Sequence, residues 1–422
     1  MRRLFFLAVM LTVFGAFACN AIIGVEDVKL RHDGGEVFGD DDPRTDPPDT
    51  AMPPQDGASP LVHDNQLEVA LGELFSCARK PDFGVKCWGD DSFAQTGTNG
   101  IADGGLLLVP TPVLGITDAV QLGAGKRHAC VVRQSGAVAC WGYNLDGQLG
   151  DGTSNGRSAK PVVVKDLDDA FAVVGGGNFT CALKKNGSVS CWGGNGQGQL
   201  GIGSATTKTT PQPVNGLADV RAIAAGESHA CALSGDGSVS CWGDGSSGQN
   251  GGSSSIQVPT KVAGVAAIAI AAGGKSSYAV AKDGRVLAWG ANDVGQLGNG
   301  TTSTLANPTA LTAKVTGATA IAAGPTNACA LLGTGAVQCW GASSSGQIGD
   351  GKIREAGAPE PNPQPVSGVT MAKGTAAGGG HACAPTATGA ISCWGANGRG
   401  QLGNNKSSAT PEYAPVAVTG YP

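Results

Sequence analysis

Thirteen cysteines are the residues of this chain best placed to do chemistry, and twelve of them fall into six pairs of one spacing. Cys77 and Cys87, Cys130 and Cys140, Cys181 and Cys191, Cys231 and Cys241, Cys329 and Cys339, and Cys383 and Cys393 each stand ten positions apart. Zinc sites favour two to four residues between paired cysteine ligands, so this wider spacing on one hairpin does not suit metal. It does suit a disulfide. Facing residues of a hairpin hold their Cβ atoms about 4.5–5.5 Å apart, which a bridge narrows to near 3.8 Å. In six units a glycine stands four residues before the second cysteine position: Gly136, Gly187, Gly237, Gly284, Gly335 and Gly389. A three-residue turn ending in a left-handed glycine sets the two cysteines opposite each other. In the first unit Gly84 comes one place later, which leaves its register open. One unit lacks both members together, with Tyr278 and Ala288 in their places, as expected of a bond in an oxidising compartment. In the chain-entropy view each bridge contributes about 2–3 kcal/mol.

The other chemically capable residues recur in the same way. His128, His229 and His381 each lie two residues before the first cysteine of a unit. Recurrence is the mark of a structural task, here a hydrogen bond that locks adjacent strands. A catalytic histidine stands once, among singular partners. No paired carboxylates, no Ser/His/Asp arrangement and no phosphate-cradling glycine loop ahead of a helix can be read. The expectation is therefore no catalytic residue, no metal site and no cofactor. The net charge of −5 comes without a basic stripe, and nucleic acid binding needs clustered Lys and Arg, so nucleic acid is not expected as a partner.

The elements that position these residues form a repeat. All seven tryptophans sit in Trp-Gly pairs, from Trp88-Gly89 to Trp394-Gly395, with successive spacings of 53, 51, 50, 47, 51 and 54 residues. A period near 50 signals a repeat architecture. Seven residues after each tryptophan stands a glutamine (Gln95, Gln148, Gln199, Gln249, Gln296, Gln347, Gln401), and nine after it a glycine, from Gly97 to Gly403. The fourth unit reads as strands over 220–225, 228–233 and 238–242, bounded by glycine turns. This is period-2 alternation, and no helical stripe appears. Each unit is thus a small antiparallel sheet of about four strands, the pattern of a propeller blade. The glutamine amide can satisfy loop backbone groups, and tryptophan gives each blade a large packing residue.

The stretches "WGYNLDGQLG" (141–150) and "WGANDVGQLG" (289–298) resemble the repeat of the regulator of chromosome condensation family. The resemblance covers residues 66–422 and implies an all-β, seven-bladed β-propeller. The chain ends in "TPEYAPVAVTG" (410–420), similar to the Thr-Pro lead-in of later units such as Thr210-Pro211. The reading predicts that this C-terminal strand completes the first blade and closes the ring, covering an edge otherwise left open. For function, the resemblance implies protein binding. The eukaryotic founder exchanges nucleotide on a small GTPase and contacts chromatin, roles at odds with export, disulfides and acidic charge. Secreted bacterial relatives include a propeller that inhibits β-lactamase by binding alone. The plant ultraviolet photoreceptor branch needs extra clustered tryptophans, and every tryptophan here belongs to the repeat.

Residues 1–18 read as an export signal: Arg2 and Arg3, an apolar run to Phe17, and small residues at Ala16 and Ala18. A cut there exposes Cys19, and Ala16-Phe17-Ala18-Cys19 resembles the lipobox of bacterial lipoproteins, in which the cysteine is lipidated. An ordinary signal cut at the same bond is the alternative. Within 19–65, Asp40-Asp41-Asp42, Pro43 and Pro47-Pro48 mark an acidic, proline-rich tether with too little apolar surface to fold. The whole then reads as a propeller held at the cell envelope by lipid, a monomer, displayed outward as a non-catalytic scaffold for a protein partner. An enzyme with a site in the channel and a structural or adhesive surface protein are the other readings.

Specificity on a repeat scaffold resides where units differ. Phe93 and Tyr143 replace small residues of equivalent loops, and the loop over 350–365 carries Lys352, Arg354 and Glu355. The loop over 98–112 includes Leu106-Leu107-Leu108. Phe93, Tyr143, Lys352, Arg354 and Glu355 are the candidate interface residues, since aromatics and arginine anchor interfaces.

Overall fold

The computed structural model describes residues 66–99, 105–354 and 358–421. Every regular element among them is a strand, and the strands form seven four-stranded antiparallel sheets. These are the blades of a seven-bladed propeller, spanning 68–112, 119–163, 170–213, 220–266, 269–312, 318–365 and 376–417. In blade 4 the order from the innermost strand outward is Val220–Ala225, His229–Ser234, Ser238–Gly243 and Ile256–Ala266. The first turn and the last loop of each blade therefore open on one face of the ring, and the middle turn on the other.

The hairpin between the two middle strands behaves as its glycines predict. Gly136, Gly187, Gly237, Gly284, Gly335 and Gly389 all have φ between 77° and 90°, where an L side chain is strained. In blade 1 Phe83 takes the left-handed place instead, with φ 66°. The register is unchanged, and Cys77 still faces Cys87. All six cysteine pairs are bridged, with Cα–Cα distances of 4.0–4.1 Å. In blade 5 Tyr278 faces Ala288 in the same register.

Two expectations are corrected. The Thr-Pro segment does not lead into the next unit. It is the outermost strand of the blade it follows, as Cys241 opposite Thr260 shows in blade 4. It covers the outer edge of the third strand, whose inner edge is taken by the second. Accordingly the C-terminal strand Ser408–Ala417 lies against the third strand of blade 7, with Cys393 opposite Val416, and does not complete blade 1. Blade 1 has its own outermost strand, Leu106–Pro112, so Leu106, Leu107 and Leu108 lie in a strand and not in a loop. The C-terminus still takes part in closing the ring. Val418 and Tyr421 pack in one cluster with Leu71 and Trp88, and the Tyr421 and Trp88 rings lie 6.4 Å apart.

The core is a set of seven wedges between blades. Each wedge receives the tryptophan of the following blade, and all seven indoles are fully buried. Burying one indole is worth roughly 4–6 kcal/mol of transfer free energy. On the outside, each outermost strand carries at least one proline, among them Pro110, Pro161, Pro211, Pro259, Pro308, Pro361 and Pro411. A proline removes a donor from an exposed sheet edge and discourages pairing with another chain.

Candidate binding face

The strict part of the repeat is a joint between blades. Each tryptophan Nε1 donates to the backbone carbonyl of the glutamine one blade earlier: Trp88 to Gln401, Trp141 to Gln95, Trp192 to Gln148, Trp242 to Gln199, Trp289 to Gln249, Trp340 to Gln296 and Trp394 to Gln347, at 2.8–3.0 Å. The glutamine side chain holds its own loop, since each Oε1 accepts the backbone N–H two residues earlier, as Phe93 N gives to Gln95 and Asp146 N to Gln148. In six of the seven units the glycine two residues further on clears the indole; Gly251 faces Val262 instead. A Cβ on Gly201 would lie 2.7 Å from Trp242 Nε1.

The three recurring histidines belong to the same joint. His128 Nε2 meets Thr180 Oγ1, His229 Nε2 meets Ser277 Oγ and His381 Nε2 meets Ser76 Oγ, each at 2.9 Å and each one blade further on. The expected structural hydrogen bond is present, and it joins blades instead of neighbouring strands. Burial lowers the pKa to about 4 for His128 and His229 and to about 3 for His381. The imidazoles are thus neutral. Asn327 fills the corresponding place in blade 6, where the next blade offers Ala382, and neither of its amide atoms has a hydrogen-bond partner among the described residues.

With these residues assigned to the scaffold, the loops that crown it remain. They are rigid. The inner turns bond to one another around the ring, as Glu73 N to Lys126 O, Lys126 N to Gly176 O and Glu227 N to Gly274 O, all 3.0 Å. In the outer loops Asn144, Asn195, Asn292 and Asn397 each accept the backbone N–H of a leucine five residues on, at 3.0–3.2 Å. Blade 4 has Gly245 at that place, and Asn250, standing where the others have leucine, donates to Ser254 O at 2.8 Å to brace the loop from the opposite end.

Two of the sequence candidates converge on this platform. Phe93 and Tyr143, from adjacent blades, meet edge-to-face with ring centroids 5.3 Å apart. The Arg127 guanidinium lies 4.5 Å from the Phe93 centroid, and its Nε is 3.2 Å from Glu73 Oε2. Arg157 donates to Ser92 O, and Leu145 beside Tyr143 is 57% exposed. Spacing alone misses Arg127, which sits in an inner turn and reaches Phe93 only because the ring brings blades 1 and 2 together.

Lys352 and Arg354 lie elsewhere, in the loop of blade 6, where Gly351 N reaches Tyr413 O of blade 7. Arg354 is not a free anchor. It holds Asp350 by two bonds, at 3.0 and 2.7 Å, and Glu360 at 3.0 Å, so it staples its own loop. Lys352 is 3.7 Å from Asp350 with its side chain 66% exposed. Glu355 and Cys19 lie outside the described residues. The latter part of the 350–365 loop is the strand Glu360–Pro365.

A second feature of the face is a pocket of about 330 Å³ over blade 3, lined by Lys126, Asp146, Asn178, Gln199, Glu227 and Ser228 among others. Burial raises the Glu227 pKa, opposed by the charges of Lys126 and Lys275. Among the described residues no group of three His, Cys, Asp or Glu side chains could hold a metal ion, and no helix is long and apolar enough to cross a membrane.

Seven blades joined tryptophan to glutamine, with variable loops on a braced face, define a repeat propeller. The family model described as the RCC1-like domain matches residues 84–421, and the chain belongs to that family. Among curated relatives, the human probable E3 ubiquitin-protein ligase HERC6 is 33% identical over 153 residues, 35% of this chain and 15% of its own length. The regulator of chromosome condensation of Drosophila melanogaster is 34% identical over 104 residues, 24% of this chain and 19% of its own. The matched stretches thus span less than a fifth of either relative. Among solved structures, Prp20p of Saccharomyces cerevisiae aligns with a TM-score of 0.72 at 20% identity, covering 84% of this chain and 88% of its own. Human WBSCR16 aligns at 0.70 and 24%, covering 80% and 94%. At these identities the likeness is one of fold.

Proposed function

We propose that this chain is a protein-binding propeller of the cell envelope, non-catalytic, with the braced face of blades 1 and 2 as the contact surface. The observation that carries this reading is the cluster of Phe93, Tyr143 and Arg127. Aromatic and arginine side chains are the residue types that dominate binding energy, and here a rigid platform holds them in place at little entropic cost. Fold neighbours give the reading support. The structure of Prp20p was described together with its binding properties to Gsp1p and histones, and the same yeast protein was solved bound to Kap60.

Residues 1–18 direct export, Cys19 takes lipid or follows an ordinary signal cut, 19–65 form the tether, and 66–422 carry the binding module as a monomer. Six cystines support an oxidising destination. Guanine-nucleotide exchange is disfavoured on the same ground. Crosslinking on intact cells of the producing organism tests the proposal. One envelope protein should be captured by the wild-type chain and lost with Phe93→Ala/Tyr143→Ala. Undiminished capture by that variant would place the contact elsewhere.

A further inference from the structure

Blade 3 departs from its neighbours at three places that face one spot. Its inner turn carries Gly177 where blades 1, 2 and 4 carry Glu73, Lys126 and Glu227, and its outer loop has Gly194 and Gly196 where blade 2 has Tyr143 and Leu145. The missing side chains open the pocket described above, so that Lys126 and Asp146 of blade 2 and Glu227 and Ser228 of blade 4 become its walls. The floor includes Asn195, whose amide is engaged with Ser204 O, Thr206 O and Leu200 N.

The walls differ from that floor. Neither the carboxylates of Asp146 and Glu227 nor the amide of Asn178 has a hydrogen bond or ion pair with any described residue. Glu227 is partly dehydrated, which raises its pKa, and Lys126 and Lys275 act on it through space without a direct bond. Two carboxylates against the single ammonium of Lys126 leave the lining net negative. The volume sits at the low end of the roughly 300–1,000 Å³ of small-ligand sites, which suits one side-chain head and its stem.

We propose that this pocket receives a cationic head, a primary ammonium or a guanidinium, carried on a lysine or arginine side chain of a bound polypeptide. The proposal rests on the reading of this face as a polypeptide-binding surface. Asp146 and Glu227 take the charge from two sides, the Asn178 carbonyl accepts an N–H, and the glycine surfaces of Gly194 and Gly196 lie along the stem. Charge-assisted bonds of this kind are shorter and stronger than neutral ones.

The test titrates the full chain with backbone-blocked arginine, blocked lysine, blocked glutamine and free arginine, followed by calorimetry. The blocked cations should saturate, the neutral glutamine should not, and free arginine should bind no tighter than its blocked form. Glu227→Gln should weaken the blocked cations at least roughly tenfold, and Gly196→Leu should abolish their binding. A Cβ at Gly196 meets nothing within 4 Å and its φ is not left-handed, so this variant fills the pocket without strain. Asp236→Asn, in the exposed turn of blade 4 on the opposite face, should change nothing. Wild-type affinity in both pocket variants, equal binding of glutamine, or no saturation below about 10 mM overturns the proposal. Tighter binding of free arginine overturns the polypeptide source. Loss of partner capture in Phe93→Ala/Tyr143→Ala alongside a failed titration leaves the broader function standing and removes the pocket from it.

Discussion

His229 Nε2 lies 2.9 Å from Ser277 Oγ across the boundary of blades 4 and 5, and the serine hydroxyl donates to the Gln249 carbonyl at 2.7 Å. Gln249 O also accepts Trp289 Nε1 at 3.0 Å, so one carbonyl gathers the joint. The boundaries at His128 and His381 repeat the arrangement, with Thr180 and Ser76 as the hydroxyls. Where Phe179 replaces histidine the next blade has Ala230, and Phe75 is followed likewise by Ala129. Histidine and hydroxyl therefore come and go together.

Stability should fall in acid through these three histidines. An unfolded imidazole binds its proton near pH 6.5, while the folded ones resist until about pH 4, and His381 until about 3. Between those values the unfolded chain holds more protons, so stability is full above pH 6.5 and is lost as pH falls. The loss per histidine approaches about 1.4 kcal/mol per pH unit. Denaturant melts at pH 7, 5 and 4 should show a progressive decline. Replacing all three histidines and their hydroxyl partners with the Phe–Ala pairs used at other boundaries should flatten it.

Ser277→Ala alone should cost about 1–3 kcal/mol, because it strands a buried His229 donor. Adding His229→Phe should restore most of the loss, since it recreates the natural boundary between blades 3 and 4. Melting temperatures of the single and double variants check the coupling. An additive result would mean that the hydroxyl does not serve the histidine.

Gly201 and Gly216 separate two reasons for glycine. Both have positive φ, 70° and 81°, but a Cβ at Gly201 strikes Trp242 while one at Gly216 meets nothing within 4 Å. Gly216→Ala should cost only the left-handed strain, about 1–2 kcal/mol. Gly201→Ala should cost clearly more, because it also displaces an indole from its wedge. Chemical denaturation of the two variants provides the comparison.

Removing residues 418–422 should uncover Trp88, which is fully buried beside Val418 and Tyr421. The expected signature is a lower melting temperature with red-shifted tryptophan emission. A truncated chain that melts like the parent would show that this contact contributes nothing to closing the ring.

Alkylation before reduction should leave Cys231 and Cys241 unmodified, and replacing both with alanine should cost about 2–3 kcal/mol. Mass spectrometry and thermal melts read the two effects.

Much of the ring is legible in the residues. Tryptophan, the glutamine seven places on and the glycine nine places on announce a joint whose two halves recur at fixed distance. The blade boundary is less legible, because the Thr-Pro strand sits between two tryptophans and nothing local says which it pairs with. The pairing of His128 with Thr180 was open to view as an alternation of His-Ala with Phe-Thr and Phe-Ser. Arg354 looked like an anchor only while its acceptors Asp350 and Glu360, both within six residues, were left uncounted. The glycines of blade 3 look like turn glycines until the neighbouring blades show which side chains are missing.

The joint of tryptophan and glutamine has a further consequence. Each repeat carries one donor for the blade before it and one acceptor for the blade after it, and the acceptor is a backbone carbonyl that side-chain drift does not erase. A unit duplicated whole, or lost whole, leaves every remaining donor with an acceptor. Chains of this kind can grow or shrink by one unit without any new match having to arise at the junction, while the loops above diverge under separate selection.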